Sequence, residues 1–258
     1  MPPPDPAWVP VAAIPGGVPD GTTEARSPDG VHRWLARRSS RLSMYTAPGP
    51  GGMPMLHGAT LVEHHLVASA DGGETWSAIA GRDGTADLAL DERGRVWIAW
   101  NGGVDVADAR AAIAGTAGVW RSLMRSPAAC IAVDGAGRVI AGTGNDCWWS
   151  DGEGDFQIMP PLAREKGAWG SYELEVRGVR ALRRAPDGAV WGVLDRGVVR
   201  LAAAAKRWQS VNLGLVVLAG KGNRPEHVEV TSLAFAADGT AYAGTRSHGG
   251  FCRIPAEA

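Results

Sequence analysis

Short apolar runs separated by glycine-bearing turns recur along the whole chain. The recurring unit is an apolar run, a turn with Asp or Gly, and a second apolar run. It occurs as TEARSPDGVHRWLA, DLALDERGRVWIAW, CIAVDGAGRVIAGT, ALRRAPDGAVWGVL and SLAFAADGTAYAGT. Each copy predicts a β-hairpin, because glycine adopts the positive φ that a tight turn requires.

An aromatic residue leads a further short strand after most of these hairpins. These residues are Trp76, Trp120, Phe156 and Trp208, and Trp8 fits the same pattern near the N-terminus. The last hairpin has no such strand after it, so we expect the strand at Trp8 to complete the last unit. The landmarks then recur about every 52 residues around a ring, the size of a four-stranded propeller blade.

The predicted fold is therefore all-β: one domain, residues 1–258, forming a five-bladed β-propeller closed by the N-terminal strand. Closure removes a free sheet edge that would otherwise template aggregation. Six blades are an alternative, because the first unit is long and SMYTAPGPGGMPMLHG resembles an insertion. An irregular β-sandwich is the other alternative, and five hairpins in register argue against it.

The segment Ser69–Trp76, SADGGETW, resembles the Asp-box (BNR) repeat of sialidase-like and photosystem-assembly-factor-like propellers. Trp149–Phe156, WSDGEGDF, resembles a degenerate second copy, in which Asp151 corresponds to Asp71 and the Ser and Thr positions are absent. The resemblance implies a structural turn between the third and fourth strands, with the Asp accepting backbone N–H bonds. These families include glycosidases, binding scaffolds and assembly factors, so the shared fold assigns no activity.

Charge and cysteine content narrow the class of protein. The formal net charge of -1 argues against a nucleic-acid or membrane-surface protein, which would show a basic excess. No run of 18 apolar residues occurs, and the N-terminus lacks the features of a signal peptide. Three cysteines, Cys130, Cys147 and Cys252, fit reduced thiols better than a disulfide frame. We therefore expect a cytoplasmic protein.

Propeller topology predicts a ligand site on the face opposite the Asp-box. The loops between second and third strands project there, together with two long connections, Pro160–Gly178 and Asn212–Val230. These connections are expected to form a lid over the channel mouth or, alternatively, solvated loops. A concave mouth with a few polar groups is the default ligand site. The expected ligand-binding residues are Arg37, Asn101, Asn145, Asp146, Trp169, Tyr172, Arg180 and Arg246.

The three arginines of this set suit bidentate binding of a carboxylate or phosphate. The alternative is that they form ion pairs between blades, with Asp87, Asp195 and Glu24 as partners. The expected acid–base residues are His248, His227, Asp195 and Glu229. His227 and Glu229 alternate on one strand face, so that Glu229 is placed to orient His227. A surface histidine is the alternative.

Two further chemistries are weaker alternatives. Cys130 is a candidate nucleophile if a neighbouring cation lowers its pKa, or else a core residue. No metal and no cofactor is predicted; a divalent cation bound by oxygen ligands is a minority option, because arginines in the same ring would repel it. Its ligands would be Asn101, Asn145, Asp195 and Glu24.

The function predicted from these residues is binding of a polar, anionic small molecule at the channel mouth. If the chain is an enzyme, a hydrolase or lyase using acid–base chemistry is expected. The alternative is a non-catalytic protein-binding or assembly scaffold that uses the same loop face, with Trp169 and Tyr172 as contact residues. The expected partners are a small-molecule ligand and, in the alternative function, a protein, with no nucleic acid and no membrane.

Overall fold

The chain folds into antiparallel β-sheets and one short helix. The structure, a computed structural model, describes residues 9–11, 22–27, 31–48, 54–159, 165–167, 170–172, 178–194, 197–211, 216–219, 224–246 and 250–253. Within these ranges, five sheets have four strands each and two have two strands each. The all-β prediction is confirmed.

Each predicted hairpin forms the first two strands of a four-stranded sheet. The first strand of the chain is β1 (Val9–Val11). Sheet 1 contains β2 (Thr22–Arg26), β3 (Arg33–Pro48), β4 (Pro54–Ser69) and β5 (Ser77–Ala78). Sheet 2 contains β6 (Thr85–Leu90), β7 (Arg95–Trp100), β8 (Gly103–Asp108) and β9 (Arg121–Met124). Sheet 3 contains β10 (Cys130–Val133), β11 (Val139–Gly142), β12 (Cys147–Ser150) and β13 (Gln157–Ile158).

The remaining strands form two ribbons and two further sheets. The first ribbon pairs β14 (Glu165–Gly167) with β15 (Gly170–Tyr172). Sheet 4 contains β16 (Ala181–Arg184), β17 (Val190–Leu194), β18 (Gly197–Leu201) and β19 (Gln209–Ser210). The second ribbon pairs β20 (Val216–Ala219) with β21 (Arg224–His227). Sheet 5 contains β22 (Val230–Phe235), β23 (Ala241–Thr245), β24 (Gly250–Arg253) and β1.

The N-terminal strand supplies the fourth strand of sheet 5. It runs antiparallel to β24, with Val9 opposite Cys252 and Val11 opposite Gly250. In the other four sheets, the landmark aromatic residue directly precedes the fourth strand. The pattern of aromatic residues therefore located the outermost strands.

The hydrophobic core lies between neighbouring sheets. Four buried clusters are present in the described part of the chain, and each joins two sheets that follow one another in the sequence. Trp34 of sheet 1 packs in one cluster with Ile98 of sheet 2, and Trp97 of sheet 2 packs in the next with Ile131 of sheet 3. Apolar residues are buried on both faces of the middle sheets, which explains the near-continuous apolar runs in the sequence.

Hydrogen bonds between turns place the first-to-second and third-to-fourth strand connections on one face, here called the turn face. The Gly72 amide donates to the Val31 carbonyl at 2.8 Å, and the Gly135 amide donates to the Gly188 carbonyl at 2.8 Å. Arg95 of sheet 2 donates to the carbonyl of Gly152 in sheet 3 at 2.9 Å. The connections at the other strand ends form the loop face. The helix α1 (Ala109–Ile113) belongs to the turn face and is capped by Asp108.

The Ser69–Trp76 turn is held by its own side chains. Asp71 accepts the backbone N–H of Thr75 at 2.9 Å and the hydroxyls of Ser69 and Thr75. These hydrogen bonds, first of all from Ser69, hold the pKa of Asp71 well below its usual range. The indole N–H of Trp76 donates to the Gly73 carbonyl at 3.0 Å. All of these bonds are internal to the turn, as expected for a structural element.

The second copy of the turn uses a neighbouring serine. The Ser150 hydroxyl accepts the Gly152 amide at 3.1 Å and donates to the Gly154 carbonyl at 2.8 Å. Asp151 accepts the amides of Glu153 and Gly154. The serine position missing from the motif is therefore replaced by the residue directly before the Asp.

The predicted insertion in sheet 1 is a long β-hairpin. Strands β3 and β4 pair continuously from Arg33 opposite Ser69 to Pro48 opposite Pro54. Among the described strands, β2 pairs with residues 33–37 and β5 with residues 67–68, so the strands that flank this pair do so at its base. Residues 38–48 and 54–64, here called the long hairpin, extend beyond the sheet by roughly 35 Å at the usual rise per residue.

Candidate functional site

Three of the predicted site residues meet on the loop face between sheets 4 and 5. Arg180 directly precedes β16, Glu229 directly precedes β22, and Arg246 directly follows β23. Arg180 donates to the Glu229 carboxylate at 2.8 Å, and Arg246 lies 3.6 Å from the same carboxylate oxygen. The Arg246 amide also donates to the Glu229 carbonyl at 3.2 Å. The packing of sheets 4 and 5 thus brings Arg180 together with residues that are 49 and 66 positions further along the sequence.

Among the described residues, this cluster contains two guanidinium groups and one carboxylate. Glu229 is half-buried, whereas the side chains of Arg180 and Arg246 are 44% and 72% exposed. Ion pairs between exposed groups contribute about 0–1 kcal/mol each, so an incoming anion competes readily for either guanidinium. The cluster is suited to binding a carboxylate or phosphate group. In the predicted alternative these arginines pair with Asp87, Asp195 and Glu24; among the described residues, Glu229 is an acid that contacts both Arg180 and Arg246. Asp195 lies outside the described residues, so a pair with it stays a prediction.

The amide and acid residues of the predicted site lie on the loop face in other sheets. Asn101 lies in the β7–β8 loop, and Asn145 and Asp146 lie in the β11–β12 loop; all three are exposed. The β11–β12 loop is fixed by Thr143, whose hydroxyl accepts the Asp146 amide at 2.9 Å. The structure therefore places these residues on the predicted face, in sheets 2 and 3, rather than in the arginine cluster.

The other predicted site residues fall on parts of the chain that the structure describes only partly or not at all. Trp169, Asp195 and His248 lie outside the described residues. Arg37, Tyr172 and His227 are described as backbone positions: Arg37 faces Thr22 and His65 in register, Tyr172 faces Glu165, and His227 ends β21. Glu229 lies between β21 and β22, so the expectation that His227 and Glu229 alternate on one strand is wrong, because the strand ends at His227. The roles of these residues in binding or catalysis stay predictions.

Asp87 joins four sheets at their first strands. Its carboxylate accepts the Leu88 amide at 3.0 Å and the Ile131 amide of sheet 3 at 3.1 Å, and pairs with Arg183 of sheet 4 at 3.3 Å. The Thr23 side chain of sheet 1 bonds to it as well. Asp87 is 3% exposed, and burial raises its pKa although Arg183 and these hydrogen bonds oppose the shift.

Arg183 was not predicted as a partner of Asp87, although the repeat contains a signal for it. In the first strand of every four-stranded sheet, the penultimate residue is alanine, except in sheet 4, where it is arginine. These residues are Ala25, Ala89, Ala132, Arg183 and Ala234. Four small side chains leave room for one long side chain to reach a different sheet.

The alternative role of Cys130 as a nucleophile is wrong. Burial raises the pKa of the Cys130 thiol well above its usual range, and the nearby Asp87 raises it further. The sulfur lies 3.5 Å from the Val179 carbonyl and is buried. A thiol in such surroundings is neutral and inert, because the thiolate is the reactive form.

Within the described residues, no group of three or more His, Cys, Asp or Glu side chains is arranged to hold a metal ion. Glu24, one of the oxygen ligands of the minority metal option, instead binds Arg26 at 2.7 Å and Arg33 at 2.6 Å. The described part of the chain also contains no helix with the length and hydropathy needed to cross a bilayer.

No family model matches the chain, and no curated protein matches it. Solved structures that resemble it include YCF48 bound to D1 peptide, at 13% identity and a TM-score of 0.49, with 94% of this chain and 84% of that chain covered. YCF48 from Cyanidioschyzon merolae is 14% identical, with a TM-score of 0.48 and coverage of 96% and 86%. A putative gluconolactonase is 13% identical, with a TM-score of 0.46 and coverage of 93% and 96%.

The likeness concerns the fold in outline, and none of these proteins' activities is transferred to this chain.

Proposed function

We propose that the five four-stranded sheets are the blades of a five-bladed β-propeller closed by β1, and that its loop face binds a protein partner. The blade arrangement is supported by the four clusters between successive sheets and by Asp87, which collects bonds from four first strands. In a propeller the first strands surround the axis, so one side chain there can contact several blades.

The observation that carries the binding proposal is that three ribbons leave the same face. The long hairpin continues the β3–β4 connection, and the two ribbons lie in the crossovers that lead to Arg180 and Glu229. Isolated two-stranded ribbons are marginally stable in water and gain from additional pairing or packing. In the described part of the chain, no third strand pairs with residues 38–48 or 54–64. Such edges can take up an extended segment of another protein by strand addition.

The polar groups described at this mouth favour a binding face over a catalytic funnel. Asn101, Asn145 and Asp146 are exposed, and Glu229 is engaged by two arginines. The buried carboxylate with a raised pKa is Asp87, and its oxygens already accept bonds from two amides, a guanidinium and a threonine. A carboxylate satisfied in this way stabilises the fold and has little capacity left for substrate.

A photo-crosslinking experiment in the native cells tests the protein-binding proposal. A photoreactive amino acid is placed at position 43 in the long hairpin, and the matched control is placed at the exposed Glu74 on the turn face. We expect a reproducible protein partner from position 43 and not from position 74. Excess unlabelled wild-type protein should compete for this crosslink, whereas unlabelled protein in which residues 40–62 are replaced with Asn-Gly, which suits a two-residue hairpin turn, should not.

Two results would contradict this proposal: the same proteins crosslinked from both positions, or a shortened variant that competes for the crosslink as well as the wild type does. Thermal unfolding of the shortened variant serves as the control for folding. An unchanged midpoint is expected, because the removed residues lie beyond the four-stranded part of sheet 1.

The second candidate function is recognition of a small polar anion by Arg180 and Arg246, with acid–base catalysis by Glu229 or His227. The two exposed guanidinium groups beside Glu229 favour it. Malate binding and p-nitrophenyl phosphate turnover are the probes. If the arginines only bind anions, Glu229→Gln should strengthen malate binding, because their competitor is removed. If Glu229 is a general base, the same variant should retain binding and lose turnover. Arg180→Gln with unchanged malate binding would exclude the site.

A cytoplasmic location belongs to the same proposal. Cys130 and Cys147 are both buried as free thiols, which is usual in reducing compartments. Cell fractionation tests it, and recovery of the protein in the extracellular fraction would contradict it.

A further inference from the structure

A cavity of about 430 Å³ lies between the first strands of sheets 4 and 5, near the turn face. It is lined by residues 183–186, at the end of β16 and in the turn that follows, and by residues 233–235, at the end of β22. Arg180 and Glu229 precede the opposite ends of these strands. The cavity is therefore separate from the arginine cluster on the loop face.

Two guanidinium groups contribute to the lining. Arg183 donates from Nη1 to Asp87 at 3.3 Å and to the Leu182 carbonyl at 2.7 Å. Both of these bonds to described residues leave from Nη1, so the Nε and Nη2 hydrogens remain as donors. Arg184 donates to the Glu92 carboxylate at 2.8 Å. The two arginine side chains are 36% and 37% exposed, so both are accessible to a ligand.

The rest of the lining is apolar. Leu233 is buried, and Phe235 packs edge-on against Trp191 with ring centroids 5.5 Å apart, which fixes one wall. Ala185 and Ala234 are small and leave the space open. Apolar walls with a few placed polar groups, enclosing about 300–1,000 Å³, are typical of small-molecule sites.

We propose that this cavity binds a small organic carboxylate that carries a short apolar body, with Arg184 and Arg183 as the anion-binding groups. The carboxylate of the ligand pairs with the Arg184 guanidinium, which binds Glu92 in the free protein. The apolar body of the ligand lies against Leu233 and Phe235. Glu92 is 74% exposed and turns into water at little cost when it is displaced. A monoanion is favoured because the two arginines already face two acids, Asp87 and Glu92, so that a second ligand charge would be uncompensated.

This inference does not depend on the proposed function. The protein-binding proposal rests on the ribbons, and its alternative rests on Arg180 and Arg246; none of these residues lines the cavity. Loss of partner crosslinking from position 43 and loss of carboxylate binding are separate results.

Calorimetry and ligand-detected NMR test the proposal with phenylacetate and hexanoate, and with phenylacetamide and hexanamide as neutral analogues. We expect saturable binding of the carboxylates and about tenfold weaker binding of the amides, the usual size of a lost charge-assisted hydrogen bond. Arg184→Gln should weaken carboxylate binding by about the same factor. Glu92→Gln should strengthen it, because the internal competitor is removed. Weaker binding in Arg184→Gln and stronger binding in Glu92→Gln would be expected only if the ligand replaces Glu92 as the partner of Arg184.

Two further variants make the test decisive. Ala234→Phe fills the cavity and should abolish binding, whereas Arg200→Gln breaks an ion pair with Asp187 in the same sheet, outside the lining, and should change nothing. Circular dichroism verifies that each variant is folded. The proposal is overturned if neither carboxylate binds saturably to the wild type, if Ala234→Phe binds as the wild type does, or if Arg184→Gln has no effect on the preference for carboxylate over amide.

Discussion

At the residue scale, the first strands of four sheets are joined through one buried acid, Asp87. Its partner Arg183 lies 96 positions further along the sequence. Burial of a carboxylate is costly unless its oxygens are satisfied, and Asp87 is satisfied by groups from four sheets. The same burial that raises the pKa of Asp87 also raises that of Cys147, to about 12. Isolation from water thus decides the chemistry of these side chains.

Asp87→Asn should change the pH dependence of stability. The folded-state pKa of Asp87 is raised, so the native protein holds a proton that the unfolded chain has released. The wild type should therefore lose stability relative to the variant as pH rises from about 4 through the folded-state pKa, and the difference should be constant above it. Urea unfolding between acid and neutral pH measures this. A constant offset at all pH values would show that Asp87 does not titrate abnormally.

Asp71→Asn is the matched comparison, because the pH dependence of stability that comes from Asp71 runs in the opposite direction to that from Asp87. The folded-state pKa of Asp71 is lowered, so its contribution is present above the unfolded-state pKa of about 4 and is lost as pH falls below it. The stability difference between the wild type and this variant should shrink toward acid pH in the same urea experiment. A difference that grows toward acid pH would contradict the bonding described for the turn.

Cys130 and Cys147 should not react with a thiol reagent in the folded protein. Both thiols are buried, and their raised pKa values leave almost no thiolate at pH 8. In a Cys252→Ser background, the aromatic disulfide DTNB should modify neither residue in the time in which it fully modifies the unfolded chain. Rapid modification of Cys130 in the native state would restore it as a candidate nucleophile.

At the element scale, turn glycines at equivalent positions of two hairpins have different roles: one permits the turn, and the other also permits close contact between two sheets. Gly137 and Gly188 both adopt positive φ, at 80° and 78°. A Cβ on Gly137 would meet open space, whereas a Cβ on Gly188 would lie 2.8 Å from the Gly135 Cα of the neighbouring sheet. The sequence predicted both turns, because a glycine between two apolar runs indicates a turn. The sequence does not indicate that the turn at Gly188 also contacts the neighbouring sheet.

Gly188→Ala should destabilise the protein more than Gly137→Ala. Both variants strain the left-handed backbone by about 1–2 kcal/mol, and only the first also forces the turns of sheets 3 and 4 apart. We expect an additional loss of about 1–3 kcal/mol in the free energy of unfolding for Gly188→Ala. Equal losses in the two variants would mean that the turns of these sheets can separate freely.

At the scale of the whole molecule, the fourth strand of sheet 5 comes from the other end of the chain. The pairing of β1 with β24 covers an edge that would otherwise be open. The sequence predicted this pairing, because the last hairpin has no aromatic-led strand after it and the segment that follows Trp8 supplies such a strand. The single-domain extent over residues 1–258 stays a prediction.

Removal of residues 1–11 should lower thermal stability and expose the β24 edge. We expect a decrease of roughly 5 °C in the unfolding midpoint and self-association at high concentration. A synthetic peptide of residues 1–21, added in trans, should restore the midpoint, whereas a peptide of scrambled order should not. A truncated protein with unchanged midpoint and mass would show that β1 does not stabilise the sheet.

The amino-acid sequence by itself determined the local and repeated features: five hairpins, their turn glycines, the aromatic-led outer strands, the internally bonded Ser69–Trp76 turn and the extra length of sheet 1. These depend on side-chain periodicity and on turn chemistry within about ten residues, which any one copy displays. Tertiary structure alone decided which charged groups meet. Arg183 pairs with Asp87, Arg180 and Arg246 share Glu229, and the cavity opens between β16 and β22. Such contacts join residues between 17 positions apart, for Arg246 and Glu229, and 96 positions apart, for Arg183 and Asp87. The geometry of the assembled sheets, rather than any local pattern, sets them.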